Sequence, residues 1–174
     1  TAMSHPATAA VLHEVLLALA HEAPRESVLA LVAEKALLLT DASSAVVVLL
    51  TEARDELVFE AVAGDGGDDL LGSRVRAEDT HLGVTARTGE PRIAFHPDGP
   101  TRSVAAVPIH VDGRPVGAVA ALDRKDGSPF GGDDLLALTT LSAAAAARIA
   151  AARLREGYVR HERELSVLYD AVRG

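Results

Sequence analysis

Between Ser103 and Leu122 the apolar positions fall into two blocks separated by Asp112-Gly113. That dipeptide is the strongest short-range hairpin signal, because a type I′ turn needs positive φ at both central residues. In the first block Ala105, Val107, Ile109 and Val111 share one face, while Val104 and Ala106 keep the other face apolar. A strand apolar on both faces belongs in the middle of a covered sheet. The second block, Arg114 to Leu122, is equally apolar, and Gly117 allows another backbone or a helix to approach closely. A turn-rich loop follows, Asp126-Gly127-Ser128-Pro129, and then Phe130. Gly131-Gly132-Asp133-Asp134 leads into a long Ala/Leu helix, where Asp133 or Asp134 is placed to cap exposed N–H groups and complement the dipole.

Upstream, Val11, Val15, Leu16 and Leu19 are spaced for one face of a helix from Ala7 to His21, which Pro24 breaks. Val28, Leu31, Val32 and Leu38 predict a second helix, Glu26 to Leu39. Ser44 to Thr51 is a buried strand, and Glu56 to Ala63 is its hairpin partner across a short polar turn. The stretch from Gly64 to Ser103 is irregular. Within it Asp79-Thr80 caps a short helix through Arg87, Gly89 ends it before Pro91, and Arg92 to Phe95 is a short strand. The fold class is α+β, two helices and two hairpins in layers with a long terminal helix.

That last helix carries a second pattern. Ala144, Ala147, Ala151, Leu154, Tyr158, His161, Leu165, Leu168 and Val172 recur at alternating spacings of 3 and 4, a heptad seam held for four repeats. Beyond Arg155 the seam has nothing of this chain left to cover, so a dimer-forming signalling helix is expected there. Gly157 is its weak point, costing about 1 kcal/mol against Ala. The expected organisation is a disordered N-terminus or cloning scar over 1–6, one domain over 7–155, and a coiled-coil helix over 156–174.

Composition narrows the chemistry. At 174 residues and 48% hydrophobic content one well-buried core is affordable, and with 3% aromatics it is built of Ala, Val and Leu. A net charge of −8 with no long Lys/Arg run points away from nucleic acid. No apolar run of about 18 residues is free of charge, so no membrane segment is expected and the location is cytoplasmic. There is no cysteine, which removes disulfides, thiolate ligands, Cys nucleophiles and thioether-linked bilin. The seven histidines form no H-x-x-x-H pair, no serine sits in a G-x-S-x-G elbow, and Gly64 to Asp69 lacks the spacing of a calcium loop. The chain reads as non-enzymatic.

Hairpin, loop, Phe130 and acidic helix start, preceded by Thr88-Gly89-Glu90-Pro91 and the Val107-Pro108-Ile109 strand, resemble a GAF domain. The resemblance runs from about Pro24 to Arg155. It implies a central antiparallel sheet of about six strands, terminal helices on one face and a ligand pocket on the other. It further implies a sensory module of a bacterial signalling protein, relaying a ligand or partner signal through a dimeric helix, with a histidine kinase among the possible outputs. Family members that bind cyclic nucleotides carry Asn-Lys, Phe and Asp-Glu at set spacing. The matching positions here are Asp123, Arg124, Phe130, Asp134 and Leu135, with three of the five altered. The resemblance therefore implies a structural role for Asp123, Arg124, Phe130 and Asp134 rather than nucleotide binding.

The pocket is expected between the sheet and the segment Leu70 to Ser103. Phe59, Leu70, Leu71 and Phe95 would form its apolar walls, and His81, His96, Arg102 and Ser103 its polar groups, with Arg102 suited to an anion. Some GAF sensor kinases hold haem through a histidine in the loop before the Val-Pro strand, where His96-Pro97 lies, with His81 a second candidate. Two other readings stand beside the sensor: a haem-binding redox or gas sensor, and a ligand-free module that only dimerises.

Overall fold

The computed structural model describes residues 5–173, and side chains from residue 8. The expected N-terminal tail therefore lies partly outside the described residues, and His5 and Pro6 are already helical. The order is α1 (His5–Ala20), α2 (Arg25–Thr40), β1 (Ala42–Leu50), β2 (Glu56–Gly64), α3 (Gly67–Leu70), β3 (Arg74–Arg76), α4 (His81–Thr88), β4 (Arg92–Phe95), β5 (Ser103–Val111), β6 (Arg114–Arg124) and α5 (Gly132–Arg173). A 3-10 turn, Ala77–Asp79, precedes α4. The six strands form one antiparallel sheet in the order β3-β2-β1-β6-β5-β4.

The two most apolar segments, β1 and β6, occupy the centre, and both of their faces are covered. On one face Ala45, Val47, Leu49, Ala105, Val107, Ile109, Val119 and Ala121 pack against α1, α2 and α5. On the other, Val46, Val48, Val104, Ala106, Ala118 and Ala120 meet Ala77, Leu82 and Ala86 from the segment around α4. The Asp112-Gly113 turn has φ of 53° and 74°, the geometry a type I′ hairpin requires. At Gly117 a Cβ would stand 2.2 Å from the Val48 carbonyl oxygen, so glycine here lets the two central strands lie against each other.

Burial alternates along β2 without a break, yet the strand changes faces. Leu57 and Phe59 join the α4 side, whereas Ala61 and Ala63 join the helical side. A bulge makes the switch: Val47 pairs with Ala61 and Val48 with Phe59, leaving Glu60 over. Glu60 Oε1 then reaches the Arg25 guanidinium at 3.2 Å, tying the bulge to the start of α2.

α5 is anchored where β6 ends. Asp123 adopts φ of 55°, and its Oδ1 accepts the N–H groups of Arg102 at 2.6 Å and Ser103 at 3.2 Å. Arg124 donates its N–H to Ser103 Oγ at 3.1 Å and reaches Asp134 Oδ2 through Nη1 at 3.2 Å. The same Asp134 oxygen accepts the Gly131 N–H at 2.8 Å, so of the two acids at this helix start Asp134 is the one that caps. Asp126 completes the node: bonds from Ser128 hold its carboxyl down at about 2, and its bond to Arg124 raises that guanidinium's pKa. The loop so fixed places Phe130, 4% exposed, in the helical-side core.

Leu138, Leu141, Ala145 and Ile149 hold the first half of α5 to the sheet. Arg155 Nη2 lies 3.0 Å from Glu22 Oε2, and beyond that contact the helix is exposed to its end. By length and composition α5 could cross a membrane, since one 18-residue window has mean hydropathy 1.6. Its packing on the sheet is the use this fold makes of that apolarity.

Two stability predictions follow from the core and the node. Phe130→Ala should cost about 3–5 kcal/mol in urea unfolding and Asp134→Ala less, about 1–3 kcal/mol, because the latter loses a cap and a charged bond but leaves no cavity. Gly117→Ala should lower the free energy of unfolding in urea as much as an overpacked core residue does, about 1–3 kcal/mol, although it adds one methyl.

Candidate functional site

The eight residues expected to line one pocket do not come together in one place. Phe59 is buried beneath α4 with Leu57, Ala77, Leu82 and Ala86, and Leu70 packs on the rim of that cluster. Leu71 follows α3 and points outward, 57% exposed, while Leu70 is the apolar side chain of α3 that packs against the cluster. Phe95 pairs with Ser103, one residue on from the Ala94 that packs toward α4, so strand alternation sends its ring to the opposite face, 40% exposed. Leu71 and Phe95 are therefore not pocket walls.

His81 and His96 do meet. Thr80 caps α4 by accepting the Gly83 N–H at 2.9 Å, which sets His81 at the first turn. The His96 N–H donates to the Arg102 carbonyl at 2.6 Å, closing the loop that brings its ring to a centroid distance of 5.6 Å from His81, nearly parallel. Burial, then the neighbouring Arg92 and His96, lowers the His81 pKa below its ordinary value. These residues do not fit haem. An axial imidazole must face a porphyrin-sized apolar slot, whereas the two rings lie on each other and Phe59, Leu82 and Ala86 fill the sheet face behind them. The same packed face leaves Thr85 Oγ1 buried with no hydrogen-bond partner, a polar atom that the sequence pattern did not single out.

Arg102 and Ser103 belong elsewhere. Together with Ser43, Pro100, Asp123, Arg124, Lys125 and Gly127 they line a cleft of about 290 Å³ where β1 and β5 begin and β6 ends. A second, wider cleft of about 650 Å³ separates α5, through Ala143, Ala146, Ala147 and Ala150, from the Val107–Asp112 end of β5 and from Gly89 and Pro91. It exists because β4 pairs with β5 only from Ser103 to Ala106. Among the described residues no group of three or more His, Cys, Asp or Glu side chains is arranged to hold a metal.

The seam residues Leu154, Tyr158, Leu165, Leu168 and Val172 are between 53% and 87% exposed, and His161 is exposed with them. They lie along the free half of α5, away from both domain clefts.

A comparison with curated proteins finds no match. Solved structures give many. The second GAF domain of DevS from Mycobacterium smegmatis is 28% identical, with a TM-score of 0.66 over 76% of this chain and 98% of that one. The GAF domain of an Acinetobacter phosphoenolpyruvate-protein phosphotransferase superposes with a TM-score of 0.75 over 89% and 99% of the two chains at 15% identity. Free methionine-R-sulfoxide reductase from Neisseria meningitidis, solved with its substrate, gives 0.71 over 89% and 96% at 22% identity, a likeness of fold. The GAF domain family model matches residues 24–149, the span that contains the whole sheet, α4 and the packed half of α5, and this chain belongs to the GAF domain family.

Proposed function

We propose that the chain is a non-enzymatic, cytoplasmic sensory domain that forms a homodimer through its C-terminal helices and passes its signal along them. The observation that carries this reading is the free half of α5. In folded proteins most helices owe their stability to a buried apolar face. Here Leu154, Tyr158, Leu165, Leu168 and Val172 make such a face with nothing of this chain against it. A second copy laid along it in heptad register would bury the stripe and hold the helix. Because α5 is continuous from its Asp134 cap to Arg173, a change at the Arg124–Asp134 node reaches the seam through one rigid element.

A second reading, a dimerisation module with no ligand under α4, is favoured by one observation: the sheet face there is packed with Phe59, Leu82 and Ala86. Both readings share the dimer. Light scattering at micromolar concentration should return twice the chain mass, and Leu165→Glu with Leu168→Glu should weaken association by well over tenfold while leaving the melting of the sheet domain nearly unchanged. A monomer at millimolar concentration would overturn the dimer in both.

A further inference from the structure

We propose that the cleft where β5 begins and β6 ends binds a small oxyanion, the phosphate or carboxylate group of a metabolite. Three cations, Arg102, Arg124 and Lys125, border it against one carboxylate, Asp123, in a chain whose net charge is −8. Asp123 Oδ1 accepts the backbone N–H groups of Arg102 and Ser103, which fixes the orientation of that carboxylate without removing its charge. Arg124 is already engaged by Asp126 and Asp134, so the positive charge on offer at the cleft is that of Arg102 and Lys125. Arg102 and Lys125 are exposed and make no ion pair among the described residues. Ser103 is 2% exposed, accepts the Arg124 N–H, and donates its own hydroxyl to no residue among those described. Ser43 lines the same cleft. A guanidinium fork, an ammonium and two hydroxyls around a concave surface are the donor set that recognises a phosphate or carboxylate. At about 290 Å³ the space suits a small phosphoester or polycarboxylate.

The site also has a mechanical consequence. Arg124 borders the cleft and binds Asp134, the cap of α5, so an anion there competes with Asp126 and Asp134 for one guanidinium. Binding would thus alter how the first turn of α5 is held. The inference does not depend on the dimer: its test reads binding at the cleft, whereas the seam is tested by mass.

The full chain is titrated with inorganic phosphate, pyrophosphate and citrate at ionic strength held constant with chloride. Amide NMR shifts and the melting temperature are followed together. Saturable shifts at Ser103 and Gly127 with a rise in melting temperature are expected for at least one anion. A stronger response to the phosphates assigns a phosphate ligand, and a stronger response to citrate assigns a carboxylate. Arg102→Gln and Lys125→Gln should each weaken that binding by about tenfold, as loss of a charged donor does. Both side chains are exposed, and unchanged circular dichroism melting without anion will show that the variants fold. Shifts that never saturate, no response beyond that to chloride, or undiminished affinity in both folded variants would each overturn the site.

Discussion

Everything in this domain follows from the need to cover two faces of its central strands. β1 and β6 carry Val and Ala on both sides, and a sheet of that kind is stable only between two layers. α1, α2 and α5 provide one layer. The other is thin, made by α4 and the turn before it, and it closes only because its contact residues are small. Gly83 illustrates the limit: a Cβ there would lie 1.8 Å from the Ala77 carbonyl oxygen. The space in which other folds of this shape could hold a ligand is, in this chain, largely side chain.

Much of the frame was legible in the residues. Asp112-Gly113 announced its hairpin, Thr80 and Gly89 bounded α4, and Arg92 to Phe95 proved to be a strand with the same ends. Such signals are local, set by φ preferences and capping groups, and they survive without knowledge of the rest of the chain. β3 was missed because three residues with an exposed-intermediate-exposed pattern carry no period to detect. The bulge at Glu60 was hidden for the opposite reason: Glu56 to Ala63 alternates so regularly that nothing betrays a change of face.

The site was less legible than the fold. Proximity along the chain grouped His96, Arg102 and Ser103, and their backbones are indeed neighbours, joined by the His96 N–H to Arg102 carbonyl bond. Their side chains nevertheless have different surroundings: the His96 ring stacks on His81, while Arg102 and Ser103 line the cleft with Asp123 and Lys125. The four-residue motif fared differently. Asp123, Arg124, Phe130 and Asp134 converge because a short loop links them and each has one strong local partner. The buried, unpaired Thr85 hydroxyl left no trace in the pattern, since a threonine on a short helix is usually solvated.

The short reach of β4 leaves Val107 to Val111 as an open stretch of sheet edge, and Pro108 stands in its middle. Proline is tolerated on an edge strand, where its missing N–H costs the sheet least, and β5 is an edge strand over this stretch. The open edge is thereby short of a donor where an incoming strand would need one. Copies of this domain are discouraged from zipping together strand to strand, a route by which exposed edges lead to aggregation.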